Sequence, residues 1–245
     1  MKKYLLFLVF IAGGFMLVSS CRINVLKGEG NKITSAPTLS SFNAVDISLP
    51  IKTTITVTEG SQPGINLNGY ENVIKHIKTK IKDNTLYLYT DLDETWTMDY
   101  DGITVEITLP AIKSLSLEGA ADADVHGNIS GTDFKLDISG VGNAVIDNIN
   151  VDDFSSEVSG AANIVVKGGT VKLAKYEVSG AAKIKTFPLQ TTETYASISG
   201  AGKGEVTASQ KLTASISGAG SIKYKGHPAD VNKDISGAGS IAEAN

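Results

Sequence analysis

Two groups of residues in this 245-residue chain have the types and spacing to do chemistry. The first is Asp137, Glu157 and Glu177, each three residues ahead of a glycine in a repeated phrase. Carboxylates set one period apart offer rows of oxygen acceptors, which suit a divalent cation or the hydroxyls of a sugar. Without such a partner, like charges on neighbouring strands repel, and a solvated polar face is their usual place. The second group lies in residues 87–102, YLYTDLDETWTMDYDG, where Tyr89, Trp96 and Tyr100 stand among Asp91, Asp93, Glu94, Asp99 and Asp101. Aromatic faces beside carboxylates suit stacking on a sugar ring and bonding its hydroxyls; a packed acidic loop is the competing reading. The Asp-x-Asp spacings there do not make an EF-hand loop, because the required glycine and distal glutamate are out of place.

Signatures of catalysis are missing. The chain has no GxxxxGK[ST], HExxH or GxSxG, and no Cys–His pair. Cleavage of a polysaccharide would need clustered carboxylates with a positioned base or a metal. Arg22 is the only arginine, and neither His126 nor His227 falls in register with the acids. The sequence therefore assigns no catalytic residue, no cofactor and no firm metal site. A formal charge of −4 offers no broad attraction to nucleic acid.

The elements that position the acids come from a phrase that recurs seven times: EGAA at Glu118, SGVG at Ser139, SGAA at Ser159 and Ser179, and SGAG at Ser199, Ser217 and Ser236. Its first glycines are Gly119, Gly140, Gly160, Gly180, Gly200, Gly218 and Gly237, with steps of 18 to 21 residues. A period of this length signals stacked units. Two residues before each glycine stands a branched aliphatic: Leu117, Ile138, Val158, Val178, Ile198, Ile216 and Ile235. Strand alternation puts these on one face and the neighbouring serines on the other, while the glycines mark structural corners with positive φ. The reading is all-β: a parallel β-helix of about seven coils over residues 111–245. A β-rich segment, 39–110, is expected to cap its first coil, since an open solenoid end exposes strand edges. A further ladder, Asp122, Asn143, Asn163, Lys183 and Lys203, passes from acid through amide to base; Asn143 and Asn163 are expected to bond one another. The last residues, Ile241 to Asn245, carry no cap element, which raises the expectation of self-association through the C-terminal coil.

The N-terminus has an address. Met1-Lys2-Lys3 is followed by an apolar run to Val18 and then Leu17-Val18-Ser19-Ser20-Cys21. This resembles a bacterial lipoprotein signal, which implies a signal peptide over 1–20, lipidation of Cys21 and attachment to a membrane. Residues 21–38, with Gly28, Gly30 and Pro37, are expected as a flexible tether. The lipobox, the stretch from Ile55 to Tyr89 and the SGAG-type coils together resemble the "putative auto-transporter adhesin, head GIN domain" family of Bacteroidetes lipoproteins. The resemblance implies a right-handed β-helix and a role in adhesion, and it carries no catalytic residues. The function expected is that of a lipid-anchored outer-membrane protein of the cell envelope, facing the periplasm or the exterior. Its rigid column would display a non-catalytic binding surface to glycans, matrix or surface proteins. The alternative is a carbohydrate-active β-helix enzyme.

Overall fold

A computed structural model describes residues 24–244. Cys21 and the signal segment 1–20 lie outside the described residues. The chain forms a parallel β-solenoid of about six turns with a β-rich N-terminal segment.

Successive copies of the phrase pair in parallel and in register. Leu117 lies beside Ile138, Val158 beside Val178, Val178 beside Ile198, and Ile198 beside Ile216. A slip of one residue would turn every aliphatic outward, so the buried face holds the register. From Leu117 to Ile216 these six side chains are at most 4% exposed, and burying each contributes about 1.5–3 kcal/mol. Past the corner, Ile164, Ile184, Ile222, Val166 and Val206 form matching buried columns on the next face of the solenoid. Inside the stack, Phe134 lies over Phe154 with centroids 5.8 Å apart, and Tyr176 meets Phe154 edge-on at 5.7 Å. The Tyr176 hydroxyl reaches Thr186 Oγ1 at 3.0 Å, and Thr186 in turn donates to the Glu205 carbonyl at 2.9 Å. The buried hydroxyls of Tyr176 and Thr186 are thereby satisfied within the core.

Stacking also explains the glycines. A Cβ on Gly160 would sit 2.1 Å from the carbonyl oxygen of Gly140, and the same clash recurs on Gly140, Gly180, Gly200, Gly218 and Gly237. Each corner rests directly on the backbone of the corner before it. Gly119, first in the row, has no atom within 4 Å of the added position.

The segment 39–110 does more than cap. Ala44–Ile47 pairs in parallel with residues 114–117, and Lys52–Val57 with 122–127, so they make a coil of the same column. Beyond them Thr85–Thr90 and Thr104–Leu109 make another rung, out of chain order. The true end piece is antiparallel: Gly64–Tyr70 lies against Thr104–Leu109, and Ile77–Lys82 against Thr85–Thr90. The short helix Glu71–Ile74 joins these two strands and buries Val73 and Ile74. Asp83 and Asn84, both at positive φ, form the hairpin turn between Ile77–Lys82 and Thr85–Thr90.

The segment expected as a tether is paired instead. Asn24–Leu26 runs parallel with Trp96–Met98, and Lys32–Ser35 runs antiparallel to Gly64–Tyr70. The short alternation in Lys32-Ile33-Thr34-Ser35 is enough for an edge strand once Gly64–Tyr70 offers a partner. Ile235 is 43% exposed on the last coil, where among the described residues no further rung covers it.

Candidate functional site

The outer face of the sheet that carries the phrase is a set of vertical ladders. The acid ladder reads Tyr87, Asp46, Ser116 and Asp137 on the first rungs, then Glu157, Glu177, Ser197, Ser215 and Asp234. Beside it Glu118, Ser139, Ser159, Ser179, Ser199 and Ser217 form the serine ladder. Between the two runs a shallow groove of about 640 Å³, floored by Ser116, Asp137, Glu157, Glu177 and Ser197 and walled by Ser139, Ser159 and Ser179.

The structure thus brings Asp137, Glu157 and Glu177 together, but with ammonium groups among them. Lys135 Nζ lies 3.2 Å from Asp137 Oδ1 and 3.4 Å from Glu157 Oε1; Lys175 Nζ lies 2.8 Å from Glu177 Oε1. Each lysine stands two residues before its acid and so shares its face. The Asp137 carboxylate holds the Lys135 ammonium above the usual lysine range, and Glu177 does the same for Lys175. Like charges one rung apart are screened by these internal cations. Among the described residues no three metal-ligating side chains converge.

One rung nearer the N-terminal end, the Ser48 hydroxyl lies 3.1 Å from Asp46 Oδ1 and 2.9 Å from Glu118 Oε2. A hydroxyl has one proton to donate, so one of the two carboxylates is short of a donor. Burial, then the Glu118 charge, pushes the Asp46 carboxyl upward, against the Ser48 hydrogen bond. Next to this pair opens a second recess of about 520 Å³, lined by Ser48, Lys80, Lys82, Tyr87 and Tyr89.

The aromatic trio of the acidic segment is not a single site. Tyr89, 38% exposed, faces this recess, whereas Trp96, 43% exposed, belongs to the separate two-stranded sheet with Asn24–Leu26. Tyr100 packs against the core, and burial raises its hydroxyl pKa. The intervening acids hold the loop together. Asp91 takes His76 at 2.8 Å and Lys78 at 3.1 Å, Asp93 accepts from the Thr95 amide, and Asp99 accepts from the Asp101 amide.

In the ladder that begins at Asp122, Asn143 donates from its backbone N–H and its side chain to the carboxylate oxygen Asp122 Oδ1, both at 2.8 Å. Elsewhere Asp147 accepts from Lys167 at 2.8 Å and faces His126 at 3.0 Å, which, with the lysine bond foremost, lowers its pKa. No helix among the described residues is long and apolar enough to cross a membrane.

Such a molecule is an all-β solenoid whose repeated outward residues make one long polar face. The chain belongs to the family described as "Putative auto-transporter adhesin, head GIN domain", whose model matches residues 41–228. It is similar to a crystal structure described as a putative adhesin from Bacteroides fragilis, with 25% identity and a TM-score of 0.81, covering 89% of this chain and all of that one. A putative adhesin from Parabacteroides distasonis (17% identity, TM-score 0.72) is covered in full by 90% of this chain. A structure from the same species described as a putative lipid binding protein (21%, 0.71) is covered in full by 91%. These last two share the fold. A comparison with curated proteins returns no match.

Proposed function

We propose that this protein is a lipid-anchored adhesin-like protein of the outer membrane that holds an extended ligand along its groove without transforming it. The observation that carries this reading is the regular floor of the groove, where acid or serine recurs at every rung from Ser116 to Ser197. A rung spacing of about 4.8 Å presents the same contacts again and again, which suits a polymer better than a single small substrate. Family membership and the solenoid fold support a non-catalytic, adhesion-like role. Cleavage by a lysine base would need a lowered lysine pKa; Lys135 in the groove and Lys175 beside Glu177 are shifted the other way.

The test uses the full chain, purified in detergent, on immobilised polysaccharides and matrix proteins. The double variant Ser159→Arg/Ser179→Arg, which fills the groove, is expected to lose binding that wild type shows. Equal binding by both overturns the reading. For the anchor, Cys21→Ser should abolish incorporation of labelled fatty acid and release the protein from the membrane fraction; label retained in that variant removes Cys21 from the account.

A further inference from the structure

We propose that the recess of Lys80, Lys82, Tyr87, Tyr89 and Ser48 is an end subsite for a carboxylated sugar at the tip of an otherwise neutral glycan. This rests on the reading of the groove as a ligand surface and names what its N-terminal end selects.

Continuity places the recess on the same face. Tyr87 lies beside Asp46 on the acid ladder, and the Ser48 amide bonds the Leu88 carbonyl, which sets Tyr89 next to Ser48 on the serine ladder. The groove therefore runs on into two neighbouring aromatic side chains. Phenol faces offer an apolar surface to the C–H side of a pyranose while leaving their hydroxyls wet. The volume of about 520 Å³ lies in the range of small-molecule sites.

Charge identifies the sugar. The antiparallel end strand sets Lys80 opposite Tyr87, Lys82 opposite Thr85 and Lys78 opposite Tyr89. Lys78 is taken by Asp91. Among the described residues Lys80 and Lys82 form no ion pair, and both are exposed. Two uncompensated ammonium groups beside two tyrosines suit a ring that carries an anion. Lysine meets a carboxylate as a point charge, and no arginine fork lies among the recess residues to favour phosphate. The sign then reverses over the next two rungs, at Asp46 and Glu118, and beyond them three acids, Asp137, Glu157 and Glu177, outnumber the two lysines paired with them, Lys135 and Lys175. A polymer with a carboxylate on every unit would meet like charge along that floor, whereas neutral units would donate hydroxyl protons to Asp46 and Glu118, which share one serine proton. The anion therefore belongs at the tip alone.

The test is calorimetric titration of the full chain in detergent with three probes: sialyllactose, lactose and polygalacturonate. Sialyllactose should bind at least about tenfold more tightly than lactose, a difference of about 1.4 kcal/mol, and polygalacturonate should bind no better than lactose. Lys80→Gln/Lys82→Gln should erase the preference for sialyllactose over lactose, while Tyr89→Ala weakens both. Melting curves matching wild type show that these surface variants remain folded. The proposal is overturned if the lysine variant keeps the preference, or if polygalacturonate is favoured. If the panel ligands bind and are blocked by Ser159→Arg/Ser179→Arg, yet sialyllactose shows no preference, the subsite is wrong and the groove stands. If nothing binds along the groove, both fall.

Discussion

Replacing Gly160 by alanine separates the two demands made on the corner glycines. Its φ is +134°, and a Cβ there would lie 2.1 Å from the Gly140 oxygen and 2.9 Å from its carbonyl carbon. Gly131 is the control: its φ is +146°, with no atom within 4 Å of the added methyl. Gly131→Ala therefore meets only the backbone penalty of a positive φ, about 1–2 kcal/mol. Gly160→Ala adds the displacement of one coil from the next, about 1–3 kcal/mol by analogy with overpacked cores. Because the obstacle is backbone held in a ladder, it has no rotamer by which to escape. The total is about 2–5 kcal/mol, which for a chain of this size lowers Tm by about 4–20 °C, against about 2–8 °C for Gly131→Ala. Thermal melts followed by circular dichroism read the difference. Equal losses in the two variants would refute the claim that each corner rests on the one before.

The buried column and its polar neighbour should respond oppositely to charge. Ile198→Asp buries an unpaired carboxylate and should cost more than about 4 kcal/mol, whereas Ser197→Asp extends the acid ladder beside Glu177 and should cost less than about 1 kcal/mol; denaturant titration of both variants checks the assignment of faces. The Asp147 contacts predict a pH dependence. Its carboxyl is held below the ordinary value by Lys167 and His126, so the folded state binds that proton less readily than the unfolded one. The stabilisation is present above the unfolded pKa of about 3.9 and is lost as pH falls through the lower folded value. Asp147→Asn should accordingly melt below wild type at pH 6, and the gap should close below about pH 4; a gap that persists at pH 2 contradicts the assignment.

How far the sequence carried the reading depended on where the chain repeats. From Glu118 on, Ile198, Ser199 and Gly200 recur at one period, so the fold, the buried column and the corners were all legible. The lysines of the groove were legible too in principle: Lys135-Leu136-Asp137 and Lys175-Tyr176-Glu177 put base and acid on one strand face, a spacing that signals internal pairing. Asp46, Ser48 and Tyr87 were not, because they carry no phrase and reach the ladders through rungs stacked out of chain order. Lys80 and Lys82 arrive through an antiparallel reversal that local pattern does not register. Conversely, Tyr89, Trp96 and Tyr100 are close in sequence and part company because Asp93 turns the chain between two sheets.

The central claim is that residues one period apart lie side by side and face outward. In a Cys21→Ser background, Ser159→Cys with Ser179→Cys places two thiols on adjacent rungs in register, about 4.8 Å apart at the backbone and within the roughly 4.4–6.8 Å span of a disulfide. Ser159→Cys with Ser199→Cys sets them two rungs apart, at about 9.6 Å. Mild oxidation should bridge the first pair within one chain, without lowering Tm, and leave the second pair reduced. Free thiols in the adjacent pair, or equal bridging in the distant one, would contradict the stacked arrangement on which the groove depends.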